Sequence, residues 1–77
     1  MNINQMKLDV IIKRQRLAAN ELNVDYLIAM AIEAEARAND LGPFDRAYNR
    51  FKQQQLDFEQ AAACLELLNT TSPAMAA

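Results

Sequence analysis

A chain of 77 residues makes one domain, and at that length folding hides only about 60–65% of the unfolded surface, so stability needs reinforcement from disulfides, a metal, association or close helix packing. A single cysteine, Cys64, excludes an intramolecular disulfide, and the absence of histidine removes imidazole from any zinc site or acid–base catalyst. With 52% apolar residues, one glycine, two prolines and a net charge of −2, the composition describes a folded chain rather than a disordered one.

The first predicted helix runs from about Gln5 to Leu22. Leu8, Ile11, Ile12, Ala18, Ala19 and Leu22 recur at three- and four-residue intervals, the mark of one buried stripe, with Gln15 as its interruption. At 100° per residue a second apolar patch of Met6, Val10 and Leu17 falls on the opposite side, separated from the stripe by Lys7, Lys13, Arg14 and Arg16. Covering those three side chains completely would contribute about 5–8 kcal/mol. The patch is therefore expected to be a protein-contact surface, with Lys13 and Arg14 as a basic rim that selects an acidic partner. The bases do not merge into one phosphate-binding face, because Lys13 and Arg16 project to one side and Lys7 and Arg14 to the other.

Asn23, Val24 and Asp25 suggest a break, with Asp25 as the N-cap of the next helix; one helix continuous through this point is the alternative. The second helix is predicted from about Tyr26 to Asp40, where Gly42 and Pro43 supply a stop. Leu27, Met30, Ala31, Ala34, Ala38 and Leu41 share one face, and Ile28, Ala29, Ile32 and Ala36 crowd another. A helix apolar on two sides is expected to lie between two neighbours, and its alanines permit close backbone approach. From Asn23 to Leu41 only Arg37 opposes four acids, so an acidic middle follows a basic first third, a pattern that favours contact between helices or subunits.

The third helix is predicted from Phe44 or Asp45 to about Asn69, roughly 37 Å long against about 27 Å for the first. Phe44, Ala47, Tyr48, Phe51, Phe58, Ala62, Leu65 and Leu68 form its buried stripe, broken by Gln55, while Cys64 lies off it and is expected to be a partly exposed small hydrophobe. Its far end, near Leu65 to Leu68, is expected to reach past its neighbours and invite a second copy or a partner. Residues 70–77, "TTSPAMAA", are expected to form a flexible tail after a helical domain of residues 1–69. The opening residues lack a signal-peptide pattern, since the apolar run is short and the bases follow it, and no stretch approaches the roughly 20 apolar residues of a membrane span. A cytoplasmic protein without membrane contact is expected.

Two known patterns touch the stretch "LAANELNVDYLIAMAIEAEA". Ala19, Asn23, Val24 and Asp25 are similar to a helix-turn-helix, with a small residue, a turn residue four later, a hydrophobe and a cap before the recognition helix. That helix would offer a groove one hydroxyl, a run of hydrophobes and two carboxylates, where direct readout uses Arg, Lys, Asn or Gln. "NVDYLIAMAIEAEA" resembles the active-site helix of lytic transglycosylases and related lysozyme-like enzymes, which implies Glu35, or Glu33 with a shifted register, as the acid. The Ser that follows the family's glutamate and a later Gly-Leu-Met-Gln segment are missing, and so small a core cannot line a glycosidase cleft. No Gly-rich phosphate loop, calcium loop or activated thiol is present.

The expected protein is all-α, with two shorter helices and one long one, forming a small bundle or a helical hairpin completed by oligomerisation or by a partner. Its expected function is non-enzymatic: an adaptor, chaperone, assembly factor or inhibitor that acts through Met6, Val10, Lys13, Arg14 and Leu17, without metal or cofactor. The protein partner is foreign or a second copy, a dimer first among the oligomers. The alternatives are a small helix-turn-helix-like nucleic-acid-binding regulator and a structural subunit of a helical assembly.

Overall fold

The structure, a computed structural model, describes residues 2–76, with side chains described through Thr70. It is all-α: α1 (Ile3–Gln15), a 3₁₀ turn (Ala19–Glu21), α2 (Val24–Leu41) and α3 (Tyr48–Ala76), packed together without a strand among the described residues. The tail expected at 70–77 lies, Thr70 apart, outside the residues described in full.

Asn2 opens α1, its side-chain oxygen accepting the backbone N–H groups of Asn4 at 2.9 Å and Gln5 at 3.4 Å. The helix ends at Gln15, well before the expected Leu22. Arg16 takes a left-handed conformation (φ 55°), and the Leu17 N–H returns to the Ile12 carbonyl at 3.0 Å. This is a helix stop of the Schellman type made without glycine, at a cost of about 1–2 kcal/mol for a left-handed side-chain-bearing residue. The hydrophobic contact that accompanies such stops offsets it: Leu17 and Ile12 both pack against the core.

Between the helices the Ala18 N–H donates to the Glu21 carboxylate at 2.7 Å, and the Tyr26 hydroxyl donates to its other oxygen at 2.8 Å. These two bonds hold the Glu21 carboxyl below its ordinary pKa, and the same carboxylate raises that of Tyr26. The two helices are thus separate. The N-cap of α2 is Asn23, which accepts from the Tyr26 N–H at 3.1 Å, and Asp25 sits inside the first turn instead.

Gly42 closes α2 with φ 83°, its N–H donating to Ala38 at 2.9 Å. After it come tight turns in which Asp45 accepts from the Ala47 N–H at 2.8 Å, so α3 begins at Tyr48 and Phe44 stands fully exposed rather than in the stripe. Reversing direction within a few residues requires those turns, and they carry Phe44 off the helix.

The core joins Leu8 and Ile11 of α1, Leu27 and Ala31 of α2, and Phe58, Ala61, Ala62 and Cys64 of α3. Both α1 and α2 pack on α3, α2 more extensively. Glu35 meets Gln55 and Arg37 meets Phe51, so residue numbers fall along α2 as they rise along α3 and the pair is antiparallel. The sandwiched helix is α3, not α2: Ile28 and Ile32 on the second side of α2 are exposed. As the middle element α3 buries two faces, Phe51, Gln55, Phe58, Ala62 and Leu65 toward α2, and Asp57, Ala61, Cys64 and Leu68 toward α1. Cys64 is accordingly buried, against expectation.

Candidate protein-contact surface

Among the described residues the buried carboxylate is Asp57, 2% exposed on the α1-facing side of α3. Its carboxylate accepts four hydrogen bonds. Arg14 donates through Nε and Nη2, both at 2.7 Å, Gln15 through Nε2 at 2.7 Å, and Gln53 through Nε2 at 3.0 Å. Burial pushes the Asp57 carboxyl pKa up, but those hydrogen bonds and the Arg14 charge outweigh it and hold the group below the ordinary carboxylate range. The Arg14 guanidinium is raised in turn by the Asp57 hydrogen bonds and charge. With about four lone-pair sites on a carboxylate all occupied, Asp57 is a clamp joining the end of α1 to the middle of α3 and has no free acceptor for general-base work. On the opposite flank Gln55 donates to Glu35 and Glu59, each at 3.1 Å, and accepts from Lys52 at 2.9 Å. Among the described residues, every buried side-chain nitrogen and oxygen has a partner.

The five residues expected to make contacts fall into three groups. Met6 and Val10 stand 49% and 53% exposed, and with Ile3 at 64% they form a stripe on the outer face of α1 at three- and four-residue spacing. Lys13 is exposed in the last turn beside them. Arg14 is half exposed, but its fork is engaged with Asp57. Leu17 lies past the end of α1 and packs against the core, so it does not extend the stripe. The sequence had pointed to Arg14 as a rim charge; its partner Asp57, with Gln15 and Gln53, was missed. The signal was there: Asp57, Ala61, Cys64 and Leu68 repeat at four- and three-residue steps, as a second buried face requires.

Two shallow depressions follow the outer side of α3. One, about 550 Å³, is lined by Arg14, Gln53, Leu56, Asp57, Glu59 and Gln60, and the other, about 330 Å³, by Ala63, Glu66, Leu67 and Thr70. Among the described residues no group of three or more potential metal ligands converges, and no helix is long and apolar enough to cross a membrane. The chain matches no protein-family model, no curated protein and no solved structure.

Proposed function

We propose that this protein is a non-enzymatic interaction module whose α1 outer face docks on another polypeptide. The observation behind it is the alignment of Ile3, Met6 and Val10, each about half exposed, on a helix whose opposite face is buried. A chain of 8.7 kDa exposes about 4,700 Å² when folded compactly, whereas this one exposes 5540 Å². Its radius of gyration is 14.0 Å against about 11.5 Å for a compact domain of this length. The excess is of total surface and goes with the length of α3; what marks an interaction site is the row of exposed apolar side chains on α1.

Magnitudes limit the claim. Covering three side chains already half buried contributes about 2–4 kcal/mol, below the roughly 4–15 kcal/mol that association costs in lost freedom. The stripe must therefore act with further contacts, for which Lys7, Lys13 and Arg16 supply exposed positive charge around it. An acidic helix or loop with an apolar face fits both features. The test is affinity capture on the wild-type chain and on the Met6→Asp, Val10→Asp double variant, with helicity checked by circular dichroism. A specific partner should be retained about tenfold less by the variant. Partners captured equally by both would reject the α1 face.

A further inference from the structure

From the outer face of α3 we infer a second binding surface, for a second copy of this chain. Gln53, Leu56, Gln60, Ala63, Leu67 and Thr70 are all exposed and follow steps of three, four, three, four and three residues. That is the alternating spacing of a coiled-coil seam, sustained over about 25 Å. None of the six is charged, and Leu56 and Leu67 are 57% and 50% exposed. Both depressions open along this line. The other two faces of α3 are covered by α1 and α2, so this face is where the helix meets anything further.

Charge says what that is. One flank of the seam carries Glu59 and Glu66 with Lys52 a heptad earlier, hydrogen-bonded to the neutral Gln55 and still charged, so that flank is acidic on balance. The other flank is supplied by α1, since Asp57 and Cys64 on that side of α3 are buried. There Lys7 supplies the net positive charge; Arg14, seven residues later on the same side of α1, lines the same depression as Leu56 and Gln60 with its charge already matched by Asp57. A surface acidic on one side of an uncharged seam and basic on the other is complementary to itself under a two-fold rotation about an axis parallel to the helix. Parallel pairing sets the acidic flank of each copy against the basic flank of the other. Antiparallel pairing would oppose acid to acid and base to base. The surface does not involve Ile3, Met6 or Val10 and shares only Lys7 with the α1 contact, so the apolar variants of the two faces tell this inference from the α1 proposal.

Sedimentation of the full chain from about 10 µM to about 1 mM should show a reversible dimer that weakens about tenfold between low and high salt. Leu56→Lys with Leu67→Lys should remain monomeric throughout; should that pair lose helicity, Gln60→Glu, at the seam's centre, gives the same comparison. Glu59→Lys with Glu66→Lys, basic on both flanks, and Lys7→Glu, which turns the α1 flank acidic and leaves the other as it was, should each self-associate about tenfold more weakly. Mixing the two should restore dimers. Gln53→Cys should give a disulfide-linked dimer under mild oxidation, as only parallel pairing brings the two copies of residue 53 together, whereas the wild type, with buried Cys64, should not. A monomer at about 1 mM, a dimer indifferent to the seam variants, or a dimer in which Gln53→Cys fails to cross-link would overturn the inference, and Met6→Asp with Val10→Asp should leave dimerisation intact.

Discussion

Two seams meet on α3, and they are built differently. Toward α2, an 18-residue helix buries Leu27, Ala31, Ala34 and Ala38, side chains short enough for the backbones to approach closely, and a tight connection at Gly42 holds the pair together. Toward α1, a 13-residue helix contributes Leu8 and Ile11, and at its C-terminal end three of the four hydrogen bonds converging on Asp57, the fourth coming from Gln53 of α3 itself. Packing of the first kind has no ionised group at its centre; the second depends on one carboxylate staying ionised. The α2–α3 hairpin is thus the scaffold and α1 the element that leaves first, which matters because α1 carries the proposed contact stripe.

The largest effect should come from the shared centre. Leu27 is fully buried and belongs to the one cluster that joins all three helices. Leu27→Ala should cost about 2–5 kcal/mol, a large part of the stability of so small a domain, and urea unfolding followed by circular dichroism should show it. The loss should weaken amide-exchange protection in α1 and α2 together. Protection lost only in α2 would mean that the seams share no core.

Asp57→Asn should separate them. Replacing the charge leaves the Arg14, Gln15 and Gln53 donors poorly matched, at about 1–3 kcal/mol. Exchange protection should fall in α1 well before α2. Because the carboxyl pKa is depressed in the folded state, its contribution is complete above the unfolded value of about 3.9 and is lost as pH falls through the lower folded value. The stability difference between wild type and Asp57→Asn should therefore stay level from neutral pH to about 5 and shrink below about 4. A difference that persists into stronger acid would mean that the clamp works by shape and not by charge.

The same contrast explains what the sequence disclosed. Helix number, the stop at Gly42–Pro43 and the α2 face of Leu27, Met30, Ala31, Ala34 and Ala38 were legible because small and apolar residues at helical spacing have one economical arrangement, whereas Leu41, expected on the same face, is exposed at the helix end. The α1 seam was not. Its helix stops at Arg16, a residue with no stop signal in its type, because Leu17 gains the core by turning there. Asp57 breaks the apolar rule on α3 and finds its compensation on residues more than forty positions away, which no local pattern reveals. Apolar residues on two sides of α2 pointed to the wrong helix as the middle one, since periodicity marks which side chains are apolar and leaves open which are covered. Met6 and Val10 stand on the exposed face of α1, whereas Leu17, which a helix running on to Leu22 would carry onto that face, lies past the end of α1 and packs on the core.

The smallest effect should come from the charges at the margin of the α2 seam. Arg37 pairs with Glu33 at 2.6 Å across one helical turn, both side chains half exposed, and its guanidinium lies 5.9 Å from the centre of the Phe51 ring. An exposed pair at this spacing contributes about 0.3–0.5 kcal/mol. The cation–π contact is duplicated by Arg50, at 5.4 Å from the same ring, so Phe51 keeps a cationic neighbour when Arg37 is removed. Arg37→Ala should therefore shift the unfolding midpoint by less than Asp57→Asn, with a cost near or below about 0.5 kcal/mol. That cost should fade as salt rises. An Arg37→Ala penalty equal to that of Asp57→Asn would show that charge holds the α2 seam as well, and the distinction between a packed scaffold and a clamped arm would be gone.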